Sequence, residues 1–282
     1  MKINISFSVF CTCRAVALMY VGGCFVAASC SSSKLAYMET ELQAAKTVSG
    51  MRFLHFTTAK GKQLAFYMPP KAKPNTLPER IVIVFPGIES KALDRLDWAE
   101  AMRGNGTGVL LIDYPGRGQC EGMMRPKHLP WTTTGALTAL GRELKVAPKQ
   151  FEGRFFVVAH SFGCAAALQF SEKHHVQRIV LMAPFPTIKR ALFRRIGPLA
   201  WIIPDNFDNR KALRSILKRR PRTKVTIIHG ALDESIPVQW GRDLAAMDRK
   251  RITFHEVSDG THVSILTENF DLIFNALFNR KH

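Results

Sequence analysis

From residue 51 onward the apolar positions alternate between two rhythms. Short runs rich in β-branched and aromatic residues fall at 51–56, 63–68, 81–85, 109–112, 155–159, 179–182, 225–228 and 252–257, and they read as strands. The first two flank Lys60-Gly61, which predicts a hairpin. The runs at 81–85 and 109–112 are continuously apolar, the pattern of strands buried on both faces. Between the strands, helical spacing appears at 92–102, 132–145 and 164–170, and again at 263–278, where it closes the chain. Gly106-Thr107-Gly108 breaks the first of these from the strand that follows. Strands alternating with helices predict an α/β fold with a mostly parallel central sheet and helices on both faces. In such a sheet, working groups belong on the loops at the carboxyl ends of the strands.

One strand end stands out. Phe155-Phe156-Val157-Val158-Ala159-His160-Ser161-Phe162-Gly163 is a strand running through a sharp turn into a helix, with small residues flanking Ser161. This is the pattern of a nucleophile elbow, with Ala159 where the first glycine usually stands. A serine that merely caps the next helix would fit the same nine residues, so the segment needs support from elsewhere. A nucleophilic hydroxyl requires a base, and the base requires an orienting carboxylate. Asp233 follows the strand at 225–228, and His262 follows the strand at 252–257. Residue type, order along the chain and position after a strand all agree with a Ser…Asp…His triad.

With these segments the chain resembles the α/β-hydrolase superfamily from about residue 51 to its end. It is most similar to short-cap serine hydrolases, which include monoacylglycerol lipases, serine aminopeptidases and acyl-protein depalmitoylase-like members. Phe85-Pro86-Gly87-Ile88 matches the family's oxyanion loop, and Asp113-Tyr114-Pro115-Gly116-Arg117-Gly118 its D-Y-x-G-x-G turn. Pro86 stands where the family often has histidine. The resemblance implies that Ser161, Asp233 and His262 are catalytic and that the backbone N–H groups of Ile88 and Phe162 form the oxyanion hole. It also implies acyl transfer to water with no cofactor and no metal. The substrate expected is a small-molecule ester, a lipid or an acylated thioester. A serine peptidase of the same fold is the nearest alternative; a non-catalytic envelope lipoprotein is another, although its usual mark, a missing triad member, is absent.

Composition then places this domain in context. The 282 residues are 46% apolar and 22% charged, which excludes a disordered chain and a multi-span membrane protein. Four of six cysteines lie in the first thirty residues, so neither a disulfide framework nor a paired-cysteine zinc site is expected in the body. Lys2 and Arg14 precede an uncharged stretch from 15 to 33 that is short for a membrane span. Val26-Ala27-Ala28-Ser29-Cys30 resembles a bacterial lipobox, with Cys30 the lipidated residue and Cys24 a weaker alternative. The expected domains are a signal at 1–30, a tether at 31–50 and a hydrolase domain at 51–282. The expected location is the bacterial cell envelope as a membrane-anchored lipoprotein, or else a single N-terminal membrane anchor.

The net charge is +18, and a segment at 185–224, read as a small cap inserted after strand six, holds twelve Lys and Arg against Asp205 and Asp208. That segment therefore carries +10 of the total, interleaved with Phe185, Leu192, Phe193, Leu199, Trp201, Ile202 and Ile203. Cations among aromatic and aliphatic side chains suit an anionic membrane surface. No nucleic-acid partner is expected, because no recognised binding motif accompanies the charge.

Overall fold

The computed structural model describes residues 40–278 except 41, 44 and 203–206. The expected signal, the tether up to residue 39 and both Cys24 and Cys30 lie outside the described residues, as does Asp205.

Eight strands form one sheet: β1 (Arg52–Thr58), β2 (Gly61–Met68), β3 (Arg80–Phe85), β4 (Thr107–Ile112), β5 (Phe155–His160), β6 (Val176–Met182), β7 (Lys224–Gly230) and β8 (Ile252–Val257). Their order is β1-β2-β4-β3-β5-β6-β7-β8. The hairpin β1–β2 and the β2–β4 pair are antiparallel, and every later pair is parallel. Alternate residues of the central strands feed two separate cores. Ile81, Ile83 and Phe85 of β3 face one, whereas Val82 and Val84 face the other. The period-two rule of a pleated strand makes this division, and it explains why the run reads as unbroken apolar sequence.

Helices cover both faces. On the first core lie α2 (Leu129–Leu144), α3 (Phe162–Lys173), α5 (Asn209–Arg219) and α6 (Val238–Ala245), contributing residues such as Leu140, Leu168, Leu213 and Trp240. The second core is closed by α1 (Leu96–Met102) and α8 (Phe270–Phe278) through Trp98, Met102, Ile273 and Leu277. The helix expected at 92–102 begins as a 3₁₀ turn, Ala92–Arg95, because Asp113 Oδ1 accepts the Ala92 N–H at 2.7 Å and fixes its first residue. The single closing helix expected at 263–278 is two: α7 (Ser264–Thr267) and α8. The break falls at Glu268-Asn269, where the Asn269 carbonyl accepts the Ile273 N–H and starts a new helix, in keeping with asparagine's preference for helix ends over interiors.

The segment at 185–224 divides into two unlike parts. Between them, α4 (Ile188–Ile196) and the 3₁₀ turn Gly197–Ile202 leave the body from the carboxyl end of β6. Their excursion is pinched at its base: Thr187 bridges Asp208, the Ile188 N–H donates to Phe207 O at 3.0 Å, and the Asn209 side chain donates to Phe185 O at 2.8 Å. The second part, α5, is no cap. It buries Ala212, Leu213, Ile216 and Leu217 against the first core and returns the chain to the amino end of β7. Lys218, Arg219, Arg220, Arg222 and Lys224 are thereby carried to the rim opposite the one from which α4 projects. The eleven residues of α5 span roughly 16 Å.

Candidate active site

Ser161 sits between β5 and α3 with φ 53° and ψ −119°. A non-glycine residue held there costs roughly 1–3 kcal/mol, so its surroundings must over-determine it. The Ser161 N–H donates to Met182 O at 2.9 Å, and the Cys164 N–H donates back to Ser161 O at 3.0 Å. Gly163 completes the turn for a steric reason. A Cβ there would run into the carbonyl oxygens of Phe85 and Pro86, so only glycine lets α3 press against the loop after β3.

That loop is anchored from another side as well. Tyr114, fully buried after β4, donates its hydroxyl to Pro86 O at 2.8 Å. Ile88 and Phe162 are consequently held at the edge of the elbow. Phe162 is the first residue of α3, so its N–H has no acceptor within the helix, and among the described residues no acceptor is recorded for the Ile88 N–H. The Phe162 ring packs edge-on against Tyr114 and Phe207, with centroids at 5.7 and 5.5 Å.

Asp233 and His262 come from the loops after β7 and β8, and two glycines bring those loops together. A Cβ on Gly230 would collide with the Gly260 backbone, and the contact is closed by the Leu232 N–H donating to Gly260 O at 2.9 Å. Across this seam His262 Nδ1 lies 2.7 Å from Asp233 Oδ2, and His262 Nε2 lies 3.1 Å from Ser161 Oγ. The carboxylate can only accept, so Nδ1 carries the hydrogen and Nε2 is left as the acceptor facing the hydroxyl. The other carboxylate oxygen accepts the backbone N–H groups of Ser235 at 2.9 Å and Ile236 at 2.7 Å. Burial alone would raise the carboxyl of Asp233. Hydrogen bonds from His229, His262 and the Ile236 N–H outweigh it and hold the group well below the usual carboxylate range.

Two further histidines border this relay, and the sequence marks both as structural residues at strand ends. His160 Nε2 donates to the backbone carbonyl of His262 at 2.9 Å, and the two rings stand 4.7 Å apart. Burial and the neighbouring His262 push the His160 imidazole down to about 3, so it stays neutral. His229 is fully buried; its Nε2 lies 2.9 Å from Ile236 O and 3.5 Å from Asp233 Oδ2. Each therefore positions a triad member. For His160 the signal is a polar side chain ending an otherwise apolar strand, and for His229 one that closes the apolar pair Ile227-Ile228; each predicts a buried and specifically bonded group.

A profile of the alpha/beta hydrolase family matches residues 82–258, well over half of the chain. The chain belongs to the alpha/beta hydrolase family. Ser161 and Asp233 of this hydrolase lie within the matched segment, and His262 falls four residues beyond it. Solved structures agree on the fold. An alpha/beta hydrolase from Vibrio vulnificus is 16% identical with a TM-score of 0.65, covering 86% of each chain. The 2,6-dihydroxy-pseudo-oxynicotine hydrolase is 15% identical with a TM-score of 0.64, covering 86% of this chain and 72% of that one. An esterase from Pyrococcus furiosus is 14% identical with a TM-score of 0.60, covering 81% and 92%. No curated protein sequence matches the chain.

All five residues named from sequence thus occupy one rim of this hydrolase: Ser161, Asp233 and His262 joined by hydrogen bonds, Ile88 and Phe162 on the loop and helix beside them. An open groove of about 920 Å³ lies elsewhere, between β1 and α2, lined by Phe56, Gln63, Trp131 and Arg142 among others. It includes no member of this constellation, so the hydrogen-bonded relay, not this groove, locates the candidate active site. Among the described residues no helix is long and apolar enough to cross a membrane.

Proposed function

We propose that this alpha/beta hydrolase is a serine hydrolase that cleaves carboxylic esters or thioesters, of a lipid or another acylated molecule, through an acyl-enzyme. The observation that carries the reading is the continuous hydrogen-bonded path from Ser161 Oγ through His262 to Asp233, at 3.1 and 2.7 Å. Ser161 Oγ attacks the acyl carbon while His262 Nε2 takes its proton. The oxygen that gains charge is received by the N–H groups of Ile88 and Phe162, each worth roughly 3–4 kcal/mol in such a site. Collapse expels the alcohol or thiol, protonated by His262. Water, deprotonated in turn by His262, then attacks the acyl-enzyme and releases the acid and Ser161. Asp233 keeps the imidazole in the tautomer that can accept a proton and stabilises its charged form.

The proposal extends to location: the N-terminal segment is an export signal, and Cys30 carries the lipid that tethers the domain to the cell-envelope membrane. Labelling with a fluorophosphonate probe tests the chemistry. The wild type is expected to label covalently and to hydrolyse p-nitrophenyl esters, and Ser161→Ala to do neither. Labelling that persists in Ser161→Ala defeats the assignment.

A further inference from the structure

Among the described residues eight large apolar side chains are exposed, and six of them belong to the rim that carries the triad. Phe193, Leu199, Trp201 and Ile202 are 45, 50, 65 and 68% exposed, all within α4 and the 3₁₀ turn that follows it. Leu232 and Val263, 56 and 63% exposed, are the immediate chain neighbours of Asp233 and His262. An apolar surface of this kind, gathered on one rim, marks a contact with another apolar phase. Its setting is cationic. Lys189, Arg190 and Arg194 share α4 with Phe193, and Arg190 lies over the Trp240 ring at 5.1 Å, which fastens α4 to the body. Lys189 reaches the Trp201 carbonyl at 3.5 Å, joining the charged helix to the apolar turn.

We propose that this face docks on an anionic phospholipid bilayer, with Trp201 and Ile202 entering the interface and the α4 cations meeting the headgroups. The charge chooses the occupant: a lipid surface offers apolar depth and negative charge at once, whereas a soluble anion satisfies only the cations. Tryptophan is favoured at the boundary between headgroups and chains. The inference deepens the proposed function, because it rests on Ser161 being the nucleophile when it supplies a reason for this rim to face lipid. It also relocates the membrane-facing charge. The run from Lys218 to Lys224 lies on the opposite rim and takes no part.

The test uses the full chain and vesicles of brominated phosphatidylglycerol, which quench tryptophan on contact. Trp98 and Trp240 are buried and Trp131, 44% exposed, lines the groove beside β1, so Trp131→Phe should leave the quenching in place and Trp201→Phe should lose most of it. Replacing Lys189 and Arg194 together by Gln, with Arg190 kept to hold α4 on Trp240, should weaken binding to anionic vesicles on the order of 30-fold at low salt, from ~1 kcal/mol per cation. Arg219→Glu with Arg220→Glu should leave it within twofold. Equal quenching in wild type and Trp201→Phe overturns the docking face, as does a far-rim pair that weakens binding as much as the α4 set. Ser161→Ala separates the two proposals. Quenching by vesicles in both proteins with no fluorophosphonate label in the wild type defeats the hydrolase reading alone, while labelling without quenching defeats the docking alone.

Discussion

Exchanging Asp233 for asparagine removes one charge and almost no volume, and the structure dictates how the new amide must sit. One carboxylate oxygen accepts two backbone N–H groups, from Ser235 and Ile236, at 2.9 and 2.7 Å. The other faces His262 Nδ1 at 2.7 Å. If the amide NH₂ were turned toward Ser235 and Ile236, two buried donors would confront a donor, at roughly 1–3 kcal/mol each. The amide oxygen therefore stays with the backbone and the NH₂ is presented to His262. An imidazole that accepts at Nδ1 must carry its hydrogen on Nε2, and it cannot then take the proton of Ser161. We expect Asp233→Asn to lower kcat for p-nitrophenyl butyrate on the order of 10⁴-fold, as the same exchange does in a serine protease triad. That corresponds to about 5 kcal/mol of transition-state stabilisation. Thermal unfolding of the variant serves as the check that the site is still assembled. A folded variant with less than a tenfold loss would refute the argument, because it would mean that Asp233 does not set the tautomer of His262.

His160 supplies a prediction about acid. Its imidazole titrates near 3 in the folded chain and near 6.5 when unfolded, so between those values only the unfolded chain takes up the proton. The contribution is complete above pH 6.5 and is lost as pH falls, at about 1.4 kcal/mol per pH unit. In urea unfolding, His160→Gln should lose about 2 kcal/mol less than the wild type between pH 6.5 and 5; identical losses would contradict the assignment. For the tether, Cys30→Ser is expected to move the protein from the membrane fraction toward the soluble one and to abolish incorporation of labelled fatty acid. Label that remains in Cys30→Ser but vanishes in Cys24→Ser would assign the modification to the other cysteine.

Most of the sheet and the candidate triad are legible in the chain because both depend on local pattern. Strands such as β3 and β5 are buried on both faces and announce themselves as unbroken apolar runs, and Ser161 stands directly after one of them, whereas Asp233 and His262 follow the less apolar strands β7 and β8 by a few residues. What sequence reading does not reach is set by contacts between distant segments. The helix α6 has an interrupted signal because Gly241 lies in its middle, and Gly241 is there because a Cβ would meet His229 Nδ1 at 2.5 Å. The boundary between cap and body within 185–224 is equally invisible in composition, since α4 and α5 are both strongly basic. It is decided by which of them finds an apolar partner: Leu213 and Ile216 pack into the core, whereas Phe193 faces outward. The roles of Gly230 and Gly260 belong to the same class: a Cβ on Gly230 would strike the Gly260 backbone, and one on Gly260 would meet Ile265, Val257 and Gly230.

The pinch at the base of the α4 excursion separates chemistry from selectivity. Because Thr187 and Asp208 are already paired and Asn209 clasps both Phe185 and Pro186, the base of the excursion is a closed ring of hydrogen bonds. Such a ring fixes where the excursion leaves and rejoins the body, so exposed positions such as Phe193, Leu199 and Ile202 can change without disturbing the elbow or the β7 and β8 loops. Change at this rim can therefore accumulate at the exposed positions of the excursion, leaving Ser161, Asp233 and His262 untouched.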